Sequence, residues 1–169
     1  MTLATVGAEP PPYPRVPHLV EGCGTSDDVT LDSASVRELL SRPVLVEEKL
    51  DGANVVLWLA DGVVKCALRS GAAGMDRARQ LGPLRAWIGE HHDRLVEVLS
   101  GVRAVYAEWL LLTHTVHYDR LIDYVVVLDV LRADGEFAGI DERDAVATAL
   151  GCRSRRSCIA GSWPVVSTG

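Results

Sequence analysis

Two apolar runs joined by Asp61-Gly62 are the feature that most constrains how this chain can fold. Residues 55–59 and 63–68 have the length of strands, and an aspartate-glycine pair suits the tight turn of an antiparallel hairpin. Two further apolar runs, at 102–112 and 124–131, predict buried strands. Asp134-Gly135 then predicts a turn into a short return strand at Phe137. The core of the chain is therefore expected to be a largely antiparallel sheet.

Helical patterns occur before and between these strands. Asp32 or Ser33 can cap a short helix that runs to residue 40 and ends before Pro43. Residues 44–46 predict a strand that leads towards Lys49.

Residues 75–99 have helical spacing, and Pro83 is expected to begin a new helix within them. A last helix is predicted at 141–150, with Asp141 as its cap. Hairpin strands combined with separate helices predict a mixed α and β fold.

Composition indicates one soluble domain with a sizeable core, since 48% of the 169 residues are hydrophobic and 24% are charged. The net charge of -6 argues against a broadly basic nucleic-acid-binding surface, so any such contact must be local. The four cysteines lack C-x-x-C spacing, which favours reduced thiols. The proline-rich start has no continuous apolar stretch, so we expect a cytoplasmic protein without a membrane span. No protein partner is evident.

Lys49 stands out because the chain has fifteen arginines and only two lysines. A basic residue needed only for its charge is almost always arginine here. Arginine keeps its proton in proteins, whereas a lysine amine can lose its proton and act as a nucleophile. Lys49 follows an apolar strand and precedes Asp51 and Gly52, which suggests an enzyme that forms a covalent lysine-nucleotide bond.

Other residues offer the groups that nucleotide chemistry needs. Gly52 would let the backbone pass close to a phosphate or ribose, and Asn54 offers a donor and an acceptor. Departure of pyrophosphate calls for a divalent metal, normally Mg²⁺, and Glu108 is the leading candidate for its pocket. An acid flanked by apolar residues, such as Asp129, is costly to bury without a purpose. Each residue alone also fits an ordinary role, and Glu108 would then be the outward residue of a half-buried strand.

The order of these motifs resembles the ATP-dependent RNA ligase family of covalent lysine nucleotidyltransferases. The matching segments are K-x-D/H-G-x-N (Lys49, Asp51, Gly52 and Asn54), an arginine-glycine segment (69–71), a glutamate strand (106–110), H-T-V-x-Y-D (114–119) and a strand with Asp129. The opening residues 13–19 are similar to the start of small members of this family.

This resemblance implies an α+β fold in which antiparallel sheets enclose a nucleotide cleft and helices lie outside, similar to the ATP-grasp arrangement. It also implies ATP and Mg²⁺ as cofactors and RNA ends as partners. AMP would pass from ATP to Lys49, beside which Asp51, Gly52 and Asn54 would bind the nucleotide. The AMP would then pass to an RNA 5′-phosphate, and attack by a 3′-hydroxyl would join the ends.

The resemblance further implies roles for individual residues. Arg69 would contact the ribose or phosphate, Glu108 would serve the ribose or metal, and Asp129 would lie under the adenine. Glu48 would help to recognise the adenine amine, although Glu47 is a rival for this role.

The family's later motifs have no counterpart here, since no lysine follows Lys65. We therefore expect a C-terminally truncated domain, with a proline-rich arm (1–17), a partial nucleotidyltransferase domain (18–150) and an aberrant tail (151–169). Residues 152–158 have the pattern of neither a strand nor a helix, and we hypothesise that the tail comes from a shifted reading frame. Natural divergence of the tail is the alternative.

Two other functions remain open on the sequence alone. A DNA ligase or capping-type enzyme would share the lysine chemistry but act on another acceptor. A catalytically dead nucleotide-binding remnant would keep the site without turnover.

Overall fold

A computed structural model describes residues 9–19, 29–68, 74–112 and 115–162 of the chain. The helices in these ranges are α1 (Ser33–Leu40), α2 (Gly74–Glu90), α3 (His92–Gly101) and α4 (Ile140–Leu150). The strands are β1 (Pro43–Glu47), β2 (Ala53–Ala60), β3 (Val63–Leu68), β4 (Ala104–Trp109), β5 (Val125–Leu131), β6 (Arg153–Ser154) and β7 (Ser157–Ser162). The predicted α+β class is confirmed.

Five strands form one sheet in the order β3-β2-β4-β5-β6. All neighbouring pairs are antiparallel except β5 and β6, which are parallel, so the sheet is mixed. The hairpin of β2 and β3 is confirmed, and its turn residues Asp61 and Gly62 both have positive φ angles (52° and 73°). Phe137 forms the expected return contact as an isolated bridge to Leu131.

Strands β1 and β7 form a separate two-stranded antiparallel sheet. The expectation that residues 152–158 form neither a strand nor a helix is therefore wrong for residues 153–154, which form β6, and for residues 157–158, which begin β7. Each of these short strands pairs with a strand far away in the sequence, which a local pattern cannot reveal. The assignment of residues 1–17, 18–150 and 151–169 to an arm, a domain and a tail stays a prediction.

The chain divides into two compact units. One comprises Lys49–Arg155, which carries the five-stranded sheet, together with the described residues up to Tyr13. The other comprises Pro14–Glu48 and the chain from Arg156 onward, and it carries the two-stranded sheet.

The five-stranded sheet carries a buried apolar cluster on each face. On one face, side chains from β2, β4 and β5 pack against α2, α3 and α4 through residues such as Leu84, Leu95 and Leu150. On the opposite face, Val56, Trp58, Ala60, Ala104, Tyr106, Leu128 and Leu131 form a smaller cluster. Tyr13 and Leu50 pack against this second cluster.

The helix predictions were partly right. Asp32 caps α1, because its Oδ1 accepts hydrogen bonds from the amides of Ala34 (2.9 Å) and Ser35 (2.8 Å). These bonds, led by that from Ser35, hold the pKa of the Asp32 carboxyl below its usual value.

Two helix starts were wrong. Pro83 lies inside α2, and the next helix begins only at His92. The residues after Pro83 continue a buried apolar face. Burial of this face offsets the loss of the hydrogen bond that a proline cannot donate. Gly139, rather than Asp141, is the N-cap of α4, and Asp141 lies in the first turn, where its charge suits the helix dipole.

Within the described residues, no helix combines the length and the apolar character that crossing a lipid bilayer would require.

Candidate functional site

Lys49 lies in the short connection between β1 and β2, which comprises residues 48–52. We call residues 49–52 the lysine loop. The Lys49 side chain is exposed, whereas Leu50, Asp51 and Gly52 are half-buried. The loop therefore combines an accessible amine with neighbours that are fixed against the rest of the unit.

Glu108 holds one end of the lysine loop. Its Oε1 accepts a hydrogen bond from the amide of Gly52 at 3.0 Å, and the side chain is only 9% exposed. Glu108 pairs in register with Asn54 on β2. The structure thus brings Gly52, Asn54 and Glu108 together, and it supplies the partner that a buried carboxylate requires.

Gly52 is needed for a reason that the sequence did not show. A Cβ at this position would lie 2.6 Å from the carbonyl oxygen of Trp109 and 2.7 Å from Cδ2 of Leu110. The close approach in the structure is to the end of β4. A close approach to phosphate or ribose stays a prediction.

Asp51 holds the lysine loop to the segment that follows β4. Its Oδ2 accepts hydrogen bonds from the amides of Thr115 (2.7 Å) and Val116 (3.1 Å). In the opposite direction, the Asp51 amide donates to the hydroxyl oxygen of Tyr118 at 2.9 Å. Asp51 was predicted to bind nucleotide, and these contacts give it a role in holding the loop; the nucleotide role stays a prediction.

The sequence did not predict the contact between Tyr118 and the lysine loop. The residue was noted only as part of the H-T-V-x-Y-D segment, and it lies 67 positions from Asp51. The recurrence of a tyrosine in that segment was the available signal, but spacing alone could not connect it to the lysine loop.

Asp129 forms a cluster with Tyr13 and Arg155. The Tyr13 hydroxyl donates to Oδ2 of Asp129, and Nη2 of Arg155 lies 3.2 Å from the same oxygen. Burial and the hydrogen bond to Asp129 raise the pKa of Tyr13 well above its usual value. Asp129 was predicted to bind nucleotide, and this also stays a prediction; its partners were not foreseen.

Asn54, Glu108 and Asp129 share one face of the sheet. Glu108 lies two residues after Tyr106 on β4, so the alternation of side chains places both on the same face. Asp129 on β5 pairs with Tyr106 and therefore shares this face. Asn54 likewise precedes Val56 of the smaller cluster by two residues. This is the face opposite the packed helices.

The other predicted residues lie elsewhere or outside the described chain. Glu47 ends β1 and is half-buried, and Glu48 is exposed, with its amide donating to the carbonyl of Arg156 at 3.0 Å. Both glutamates belong to the second unit. Arg69 lies outside the described residues, as does His114.

No group of three or more His, Cys, Asp or Glu side chains in the described chain could hold a metal ion. The predicted metal-binding role of Glu108 stays a prediction.

The fold is similar to that of a solved RNA ligase. It is similar to a solved structure of a lysine-to-alanine mutant of a Naegleria gruberi RNA ligase with ATP and Mn, with a TM-score of 0.51 and 14% sequence identity. The match covers 92% of this chain and 49% of the other, so the chain spans about half the length of that protein. Comparison with curated proteins finds no match.

The family model for RNA ligase matches residues 42–168, which is most of the chain. The chain belongs to the RNA ligase family. The matched region includes the lysine loop, Glu108 and Asp129, and it extends into the tail.

Proposed function

We propose that this chain carries the nucleotidyl-transfer centre of an ATP-dependent RNA ligase, with Lys49 as the nucleophile. Membership of the family supports the class of reaction. The observation that supports the site is the hydrogen bond from the Gly52 amide to Glu108, because it attaches the loop of an exposed lysine to a buried carboxylate. A reactive amine needs such a fixed position relative to the phosphate that it attacks.

In the first step, Nζ of Lys49 attacks the α-phosphorus of ATP. A nitrogen-phosphorus bond forms, the bond to pyrophosphate breaks, and the amine loses its proton. An oxygen of the RNA 5′-phosphate then attacks the phosphorus of the AMP, and the nitrogen-phosphorus bond breaks and releases the lysine. Finally, a 3′-hydroxyl loses its proton and attacks the 5′-phosphorus, a phosphodiester bond forms, and AMP leaves. Asp51, Asn54, Arg69 and Asp129 are proposed to form the nucleotide site with Glu108. Either Glu47 or Glu48 would recognise the adenine.

A divalent ion fits this site only if phosphate oxygens complete its coordination. Mg²⁺ is usually held by one or two carboxylates together with substrate phosphates. Glu108 offers one such carboxylate beside the lysine loop, which agrees with the absence of a larger acidic cluster in the part of the chain that is described. The ion would neutralise charge on the departing pyrophosphate. The similar Naegleria structure contains ATP and Mn.

RNA ends are the proposed partners of this site. Because the net charge is -6, we expect RNA to bind through a local basic surface. The cytoplasmic location expected from the start of the sequence stays a prediction.

The test is incubation with ATP labelled at the α-phosphate and Mg²⁺, followed by denaturing electrophoresis. We expect a covalent adduct in the wild type and none in Lys49→Ala or Lys49→Arg, since arginine keeps its charge but cannot attack. Lys65→Ala is the matched control, because Lys65 is the other lysine and lies exposed on β3. It should form the adduct normally.

Two outcomes would overturn the assignment. An adduct in Lys49→Arg would exclude Lys49 as the nucleophile. Binding of ATP by the wild type without any adduct would favour the catalytically dead remnant. Joining assays with nicked RNA and nicked DNA then separate RNA ligation from the DNA ligase alternative.

A further inference from the structure

We propose that Tyr118 is a positioning residue for the nucleophile. It holds the lysine loop through the Asp51 amide, and it thereby sets the rate of lysine adenylylation rather than the affinity for ATP. This inference rests on the proposed function of Lys49.

The first support is the number of contacts that hold the residues after Lys49. The Asp51 amide donates to the Tyr118 hydroxyl at 2.9 Å, and the Gly52 amide donates to Glu108 at 3.0 Å. Two successive amides of one short loop are therefore held by side chains from different parts of the unit. Such contacts restrict the backbone within two or three residues of the nucleophile.

The second support is that the contact between Asp51 and the segment 115–118 runs in both directions. The Asp51 carboxylate accepts from the amides of Thr115 and Val116, and Tyr118 accepts from the Asp51 amide. The charged acceptor makes the first two bonds the stronger ones. They bring Tyr118 to the loop, and its hydroxyl then fixes the orientation of the Asp51 peptide.

The hydroxyl of Tyr118 is also the atom in this set that can be removed most cleanly. Thr115 and Val116 contribute backbone groups, and substitution of Asp51 would remove two bonds at once. Tyr118→Phe deletes one oxygen and keeps the half-buried ring. It therefore tests the contact to the lysine loop separately from the packing of the segment.

The effects on folding and on rate should differ in size. Loss of one hydrogen bond of this kind changes a folding equilibrium by roughly fivefold. Misplacement of a reacting group by about 1 Å can slow a reaction roughly 100-fold. Substitution of a residue that only supports the fold would change the folding equilibrium and leave the reaction rate of the folded protein unchanged.

The experiment measures the single-turnover rate of adduct formation over a range of ATP concentrations. For Tyr118→Phe we expect the rate at saturating ATP to fall by at least about tenfold, with the half-saturating ATP concentration within about twofold of wild type. Tyr124→Phe is the matched control, since Tyr124 is a nearby tyrosine with 47% exposure, and it should stay within about twofold in both quantities.

Amide hydrogen exchange provides a second measurement that needs no ATP. The Asp51 amide should exchange roughly fivefold faster in Tyr118→Phe than in wild type, while the Gly52 amide keeps its protection. If the variant fails to fold, hydrogen exchange of the wild type still tests the proposal. An Asp51 amide that exchanges without protection in the wild type would overturn it.

The outcomes separate this inference from the proposed function. If the wild type forms no adduct, the proposed function fails and the positioning role falls with it. If the wild type reacts and Tyr118→Phe reacts equally fast, only the positioning role is wrong. The positioning role would also be wrong if Tyr118→Phe raised the half-saturating ATP concentration and left the rate at saturating ATP unchanged. Tyr118 would then serve ATP binding.

Discussion

Gly52 shows how a single residue can serve both packing and chemistry. Its amide binds Glu108, and its missing side chain lets the loop lie against the backbone of Trp109. The Trp109 carbonyl oxygen, which would lie 2.6 Å from the Cβ of an alanine at position 52, belongs to a strand that is buried along its length, so it cannot move aside easily. Glycine is therefore required here by sterics, whatever ligand the loop binds.

We predict that Gly52→Ala lowers the free energy of unfolding by roughly 1–3 kcal/mol, because the loop or the end of β4 must shift. Urea denaturation followed by circular dichroism measures this change. Gly89→Ala is the control: Gly89 is exposed on α2, no atom beyond its chain neighbours and the backbone of its own helix lies within 4 Å of a Cβ there, and alanine favours the helix by up to about 1 kcal/mol. Equal stabilities of Gly52→Ala and wild type would contradict the close packing of the loop.

At the scale of elements, α2 shows that packing can outweigh the tendency of a proline to begin a new helix. Pro83 predicted a new helix, but α2 runs from Gly74 to Glu90 with the proline inside it. Leu84, Trp87 and Ile88 follow on the buried side of the helix. Burial of such side chains contributes roughly 1.5–3 kcal/mol each, which is enough to offset a proline.

We predict that Pro83→Ala raises the free energy of unfolding by about 2 kcal/mol, because it restores an amide donor to an exposed position of a continuous helix. The urea midpoint should rise accordingly. Pro43→Ala is a suitable comparison, since Pro43 is the exposed first residue of β1, and its effect should stay below about 1 kcal/mol. A loss of stability in Pro83→Ala would mean that the proline is needed where it stands.

At the scale of the whole molecule, the cluster of Tyr13, Asp129 and Arg155 joins distant parts of the chain. Tyr13 and Asp129 are 116 positions apart, and Arg155 follows β6. The Tyr13 ring also lies 5.2 Å from that of Tyr106, between ring centroids, over the smaller cluster. Tyr13 and Arg155 are thus both connected to the central sheet through the carboxylate of Asp129.

We predict that Tyr13→Phe lowers the free energy of unfolding by roughly 1.5–3 kcal/mol, the usual contribution of a hydrogen bond to a charged group. The raised pKa of Tyr13 adds a pH dependence. The hydrogen bond of Tyr13 contributes its full stabilisation while the pH is below about 10, the pKa of tyrosine in the unfolded chain. This stabilisation is lost as the pH rises towards the higher pKa of Tyr13 in the folded protein. Between pH 9 and about 11, the wild type should therefore lose more stability than Tyr13→Phe; parallel losses would contradict this.

The sequence by itself determined the features that depend on neighbouring residues. The hairpin of β2 and β3, the cap at Asp32 and the strands β4 and β5 were readable because side-chain alternation and turn chemistry act over a few positions. The choice of Lys49 as the candidate nucleophile was equally local, since it came from residue usage and the motif around it.

Only the tertiary structure decided which distant groups meet. The bonds of Asp51 to Tyr118, the cluster at Asp129 and the pairing of β7 with β1 all join residues that are far apart in the chain. A hydrogen bond requires two groups within about 3 Å, and nothing in the local pattern of either partner specifies the other. The sequence thus identified the candidate reactive residue, whereas folding decided what holds its loop in place.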